Sequence, residues 1–265
     1  MPLSEKQGVG SSILPLATIM NKFLNPKKYL NVVKSIYKGY LRSKKNKNLY
    51  TLKPVEKKLA KLNNIEELLN FHFTRYTDKS HINFEMFKLV MNYFSGSSLN
   101  ILETGSSAHG INSSMLFSSY IKVFGGKFDT VDINPTIKKK YEFIQSKNIQ
   151  FHTNDSLIFL ASLDDTSVRN LDFIYLDSFD LDLNNPHPSQ EHGLNEFLLI
   201  DEKIKKGTII SIDDTPISYD YFSKTESNKY DFVPGKGRLV LTFLEENPGR
   251  YEILYHEYSV VLKKL

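Results

Sequence analysis

The 265-residue chain contains no cysteine. That absence removes disulfides, thiolate zinc sites and a cysteine nucleophile from its chemistry. No internal repeat is visible, and the apolar stretch ILPLATIM at 13–20 is too short to span a bilayer. It follows no basic segment and leads to no clear small-residue cleavage site, so a cytoplasmic location is expected. What the chain does have is 40% hydrophobic residues, enough at this length for one substantial core. We expect a basic, mainly helical extension over 1–80 and one catalytic-size domain over 81–265.

The formal charge of +4 is unevenly spread. Residues 1–60 carry thirteen Lys/Arg against two Asp/Glu, or +11, which leaves the remainder at −7. An acidic main domain argues against the whole chain being a nucleic-acid binder. Within KKYLNVVKSIYKGYLR at 27–42, Leu30, Val33, Tyr37, Tyr40 and Leu41 share one helical face, while Lys27, Lys34 and Lys38 recur on another. Such a basic amphipathic helix suits packing or a protein partner with its lysines solvated, then peripheral contact with an anionic membrane, and RNA least. RSKKNKN at 42–48 reads as a linker, and 55–94 as further helices. The oligomeric state is not legible.

From residue 99 onward, short apolar runs alternate with helical stretches, the pattern of an α/β domain with a mainly parallel sheet. Strands are expected near 99–104, 127–132, 149–152, 171–177 and 207–213, with helices near 111–123, 135–147, 156–163, 189–206 and 237–247. The closing runs YEILYHE and YSVVLKK are separated by almost nothing, so they must pair as an antiparallel hairpin.

In an open α/β sheet the ligand crevice lies beyond the carboxyl ends of the strands, where the strand order reverses. The first such loop reads LETGSSAHGIN. Gly105 and Gly110 are separated by four residues, which does not match the G-x-G-x-x-G of a dinucleotide site. Glu103 would also repel a pyrophosphate. A ligand with an ammonium group and no phosphate suits this carboxylate, and S-adenosylmethionine has that chemistry. Asp132, ending TVD, can accept hydrogen bonds from both ribose hydroxyls. Asp155 and Ser156 after the third strand are placed for the adenine edge, although an acid there is also a common helix cap.

The ordered series ILETGSSAHG, FDTVDINP, TNDS, LDFIYLDSFD and GTIISIDDTP, followed by a terminal hairpin, resembles the class I S-adenosylmethionine-dependent methyltransferases over roughly 97–265. The resemblance implies a Rossmann-like seven-stranded sheet of order 3-2-1-4-5-7-6 with strand 7 antiparallel. It implies cofactor contacts from Glu103, Gly105, Asp132 and Asp155, and Ser106, Ser107, Gly110, Ser156 and Asp177 in the same loops are expected to bind the cofactor with them. The glycine loop is one residue longer than the common E-x-G-x-G-x-G form.

Further acids end the fourth and fifth strands: Asp177, with Asp180 and Asp182 close behind, and the pair Asp213 and Asp214. Neighbouring strands lie about 4.8 Å apart, so such carboxylates can converge, and Mg²⁺ relieves their repulsion with oxygen ligands. This arrangement is similar to metal-dependent O-methyltransferases of the catechol and macrolide-sugar kinds, which implies Asp177, Asp213 and Asp214 as metal ligands. Asp before Pro also commonly organises a turn, and that alternative stays open for DDTP. Candidate bases for deprotonating an acceptor are Asp180, His187 and His192. The aromatics Tyr219, Tyr221, Phe222, Tyr230 and Phe232 form either an acceptor lid or a loop anchor. The expected activity is Mg²⁺-assisted O-methylation of a hydroxyl on a sugar or other small polar metabolite. Its rivals are a metal-independent O- or N-methyltransferase of the same fold and a non-catalytic binding protein with a degenerate pocket.

Overall fold

The computed structural model describes residues 56–106, 111–222 and 231–265. The basic helix and linker expected at 27–48 lie outside them. Three helices precede the sheet: α1 (Glu56–Leu59), α2 (Ile65–Arg75) and α3 (Phe84–Phe94). The Asn64 side chain caps α2 by accepting the Glu67 N–H, acids occupy its first turn, and Ile65, Leu68, Leu69, His72 and Phe73 form its buried stripe. Burial pushes His72 down to about 4, so its ring is neutral, and Nε2 donates to the Ile111 carbonyl at 2.8 Å. The neighbouring Asn112 amide donates to the Tyr76 carbonyl at 3.1 Å. These two bonds fasten α2 to the start of the helix that follows the first strand.

The strands are β1 (Leu99–Thr104), β2 (Gly126–Asp132), β3 (Ile149–Thr153), β4 (Phe173–Leu176), β5 (Ile209–Ile212), β6 (Tyr251–His256) and β7 (Val260–Lys264). They form one seven-stranded sheet of order β3-β2-β1-β4-β5-β7-β6. The β1, β2, β3, β4 and β5 pairings are parallel, whereas β7 runs antiparallel to both β5 and β6. This is the order that the family resemblance implied.

Between the strands lie α4 (Ser113–Phe124), α5 (Pro135–Lys140), α6 (Ser156–Ser162), α7 (Asp165–Arg169), α8 (His187–Asp201) and α9 (Arg238–Glu246). The helix expected over 135–147 stops at Lys140. Tyr141 turns into the core and stacks on Phe151, with ring centres 4.7 Å apart, and the chain continues as a short 3-10 turn. An additional helix, α7, is capped by Asp164, whose side chain accepts the Ser167 N–H.

Side chains alternate across the sheet with a period of two. Phe117 of α4 meets Phe128, Phe173 and Tyr175 edge-on, which fills the face beneath α4. Leu102, Val131, Ile174, Leu176, Ile210 and Ile212 point the other way, into a second layer with Phe197 and Ile200 of α8. Among the described residues no helix is long and apolar enough to cross a membrane.

Candidate functional site

The strand order reverses between β1 and β4, so the crevice opens above their carboxyl ends. Gly105 stands at this point with φ +77°, its N–H donating to the Val131 carbonyl at 2.8 Å. A Cβ built on it would lie 2.2 Å from the Asp177 carbonyl oxygen. The glycine therefore allows the chain leaving β4 to pass against the end of β1. Ser107 and Gly110 lie outside the described residues.

Glu103 is fully buried and bound from within the protein. Ser113 donates to Oε1 at 2.5 Å, while Ser114 and Thr130 donate to Oε2 at 2.5 and 2.7 Å. Because Thr130 gives its proton to Glu103, the 2.8 Å contact between Ser106 and Thr130 is donated by Ser106. Burial raises the Glu103 carboxyl to about 7, against the pull of the three hydroxyls and with a further push from Asp132. Glu103 thus ties β1 and β2 to the first turn of α4, and three hydroxyls stand where direct contact with a ligand ammonium was expected.

Asp132 ends β2 half-buried, its Oδ1 accepting the Asn134 N–H at 2.7 Å. Burial lifts it to about 6; the Asn134 N–H and Lys140 pull it back, and Asp180 pushes in the same direction as burial. Asp180, expected as a base, is exposed and close enough to Asp132 for this repulsion to be felt. Asp155 is the cap of α6, accepting the Leu157 and Ile158 N–H groups at 2.9 and 3.1 Å, all on Oδ1. Its neighbour Ser156 is buried and faces His192 rather than solvent.

The rim of β4 and β5 differs from the expected metal site. Asp213 shares a face with Ser211 and Tyr175, and both of its oxygens are taken there. Asn83 and Ser259 donate to Oδ1 at 2.8 and 2.7 Å, and the Tyr175 hydroxyl donates to Oδ2 at 2.8 Å. Asp214, turned by φ +44°, accepts from the Tyr258 hydroxyl at 2.7 Å on Oδ1. The ammonium of Lys236 lies 2.6 Å from Asp177 Oδ1 and 3.1 Å from Asp214 Oδ2. Burial alone would lower the lysine, but Asp177, Asp214 and Asp213 hold it well above its ordinary value. Burial would likewise raise Asp214, which Lys236 and Tyr258 keep below the usual range. Among the described residues no group of three or more His, Cys, Asp or Glu is placed to hold a metal ion. The three aspartates thus do not form the set that the resemblance implied: one faces away and two are bridged by a lysine.

Of the candidate bases, His187 is exposed and pairs with Glu191 at 3.4 Å. His192 instead lines a small cavity together with Ser178, Phe179, Glu196 and Lys236. Burial would lower His192, yet Glu196, 3.5 Å from its Nε2, raises it above its ordinary value. With that nitrogen protonated, bonds run from Nε2 to Ser156 at 2.9 Å, from Ser156 to Ser178 at 3.4 Å, and from Ser178 to Glu196 at 2.7 Å. Glu196 was legible as the residue four places after His192 on a predicted helix. Lys236 had a signal too, the G-K-G at 235–237. Tyr219 and Tyr221 anchor their loop, their hydroxyls donating to the Phe232 carbonyl and to Glu257. Tyr230 lies outside the described residues.

The strand order and the reversed seventh strand are those of the Rossmann-like fold of class I S-adenosylmethionine-dependent methyltransferases. Among solved structures, the chain is similar to the MycE methyltransferase from the mycinamycin biosynthetic pathway in complex with Mg and SAH. The identity is 15% over 78% of this chain and 54% of that one, with a TM-score of 0.51. The complex of MycE with Mg, SAH and Mycinamycin VI matches at 15% identity over 81% and 55%, again with a TM-score of 0.51. This chain spans about half the length of those proteins, and the likeness is one of fold. No family model and no curated protein matches it.

Proposed function

We propose that the chain is an S-adenosylmethionine-dependent methyltransferase that methylates a hydroxyl on a sugar or other small polar metabolite. The observation that carries this reading is the Asp132 carboxylate at the β2 tip, beside the β1/β4 reversal. Ionised, it accepts hydrogen bonds from a ribose diol. Two further features fit the cofactor. Thr104 Oγ1, at the β1 tip, is buried with no hydrogen-bond partner among the described residues. Asp132, when ionised, places negative charge at the β2 tip, where a phosphate would be repelled and a cationic ligand favoured. Held by Asp132, S-adenosylmethionine would supply an electrophilic methyl group on its sulfonium.

His192 is the base in this reading. Its Nε2 is engaged by Ser156 and Glu196, which leaves Nδ1 for the proton of an acceptor hydroxyl. The buried Glu196 carboxylate, held below its ordinary value by His192 despite its burial, stabilises the imidazolium that results. MycE crystallises with Mycinamycin VI, and that likeness supports an acceptor of the polar-metabolite kind.

Calorimetric titration with S-adenosylhomocysteine tests the cofactor assignment. Asp132→Ala should bind it about 30-fold more weakly, the effect of losing about 2 kcal/mol of hydrogen bonding to a charged group. Unchanged affinity would rule out the ribose contact. Removing the base with His192→Ala should slow methyl transfer about 100-fold and leave cofactor affinity near the wild-type value. A rate within a few-fold of wild type would move the base elsewhere.

A further inference from the structure

We propose that Lys236 is a built-in cation occupying the place that a divalent ion takes in a metal-dependent rim, so that the ends of β4 and β5 form a closed ion cluster that does not take up Mg²⁺. Its consequence, methyl transfer without added metal, rests on the transferase reading above; the cluster itself does not.

The lysine side chain is 5% exposed and its ammonium contacts both carboxylates, at 2.6 and 3.1 Å. Mg²⁺ binds oxygens at about 2.0–2.1 Å in a nearly octahedral shell, so Asp177 and Asp214 would have to close on the point where the ammonium stands. A second cation placed there would face the charge of the lysine in a poorly solvated setting. Asp213 offers no alternative, since Asn83, Ser259 and Tyr175 occupy both of its oxygens.

The backbone holds the lysine in this position. The Lys236 N–H donates to the Asp214 carbonyl at 2.8 Å, and the Gly237 N–H donates to Thr215 Oγ1 at 2.9 Å. A Cβ at Gly235 would lie 2.9 Å from the Asp214 oxygen, and one at Gly237 2.7 Å from Thr215 Oγ1. From the other side, a Cβ at Gly193 of α8 would lie 2.6 Å from the Lys236 carbonyl oxygen. Glycines on three sides let the G-K-G segment press against the β5 turn and α8. Those contacts fix the lysine main chain beside the two carboxylates, within reach of its ammonium.

The test uses full-length protein stripped with EDTA and titrated with MnCl₂, with free Mn²⁺ followed by electron paramagnetic resonance. S-adenosylhomocysteine binding is measured on the same sample. Wild type should show no saturable Mn²⁺ site and an unchanged cofactor affinity in EDTA. Lys236→Met should acquire a saturable Mn²⁺ site that Lys236→Arg lacks. Saturable Mn²⁺ uptake by wild type that is lost in Asp214→Asn would overturn the proposal, and so would a folded Lys236→Met that still ignores Mn²⁺. Should Lys236→Met fail to fold, the wild-type and Lys236→Arg titrations still decide the matter. If S-adenosylhomocysteine does not bind while Mn²⁺ is ignored, the cofactor reading falls and the ion cluster stands.

Discussion

Replacing Gly105 by alanine is expected to destabilise the domain by about 4 kcal/mol, although the change adds a single methyl group. Two costs combine. At φ +77° an alanine is strained by about 1–2 kcal/mol. The new Cβ would also stand 2.2 Å from the Asp177 carbonyl oxygen and 2.6 Å from Ser178 Cα. That carbonyl cannot easily retreat, because the Asp177 N–H donates to the Thr104 carbonyl at 3.0 Å and β4 is held between β1 and β5. Forcing a methyl into such a contact costs about 1–3 kcal/mol. Gly207 supplies the control. It has φ +89° but nothing within 4 Å of a built Cβ, so Gly207→Ala should lose only the conformational part, about 1–2 kcal/mol. Urea unfolding of both variants separates the two costs. Equal losses would show that Gly105 serves the backbone turn alone and that the β1/β4 approach tolerates a side chain.

The same glycine shows how much was legible in advance. Its place at the end of the first strand was clear, because buried parallel strands read as apolar runs that stop abruptly at acids and glycines. That reading located β1 to β5, the closing hairpin and the acids at the strand tips. What Gly105 lies against was not legible, since Asp177 is 72 residues further along the chain. The arrangement of the β4 and β5 acids was not legible for a related reason. Asp213 and Asp214 are adjacent, and adjacent residues at a strand end point to opposite faces, so both could serve one ion only if the turn reversed one of them. Instead Asp213 keeps the face of Tyr175 and Asp214 turns toward Lys236. Lys236 sat in a polar, aromatic segment where one positive charge reads as solvated. Its meaning depends on two strand ends, one of them 59 residues away. For Asp155 the alternative of a helix cap was visible in the NDS signature, and its Oδ1 does that work.

Glu103→Gln should remove a pH dependence that the buried carboxyl imposes on stability. In the unfolded chain this group ionises near its ordinary value of 4.5, whereas in the folded protein burial raises it to about 7. Between those values the folded state holds a proton that the unfolded state has released, so unfolding releases protons and stability falls as pH rises. The penalty is complete above pH 7 and amounts to roughly 3 kcal/mol; below pH 4.5 both states are protonated and it vanishes. Glutamine keeps one carbonyl acceptor and gains an amide donor, which Ser113 and Ser114 can meet by rotating their hydroxyls. Asp132 and every other titrating group remain in both proteins, so the difference between their urea midpoints at pH 5 and pH 8 isolates Glu103. Wild type should lose stability over that interval and the variant should lose less; identical curves would mean that Glu103 is ionised throughout. The same carboxyl reports on the cofactor. If the ligand ammonium acts on Glu103 through the Ser113, Ser114 and Thr130 hydroxyls, binding lowers its value, and S-adenosylhomocysteine should displace a proton at pH 7 from wild type but not from Glu103→Gln. Calorimetry in buffers of different ionisation enthalpy counts that proton. None released would place the ammonium on another group and leave Glu103 as the tie between β1, β2 and α4.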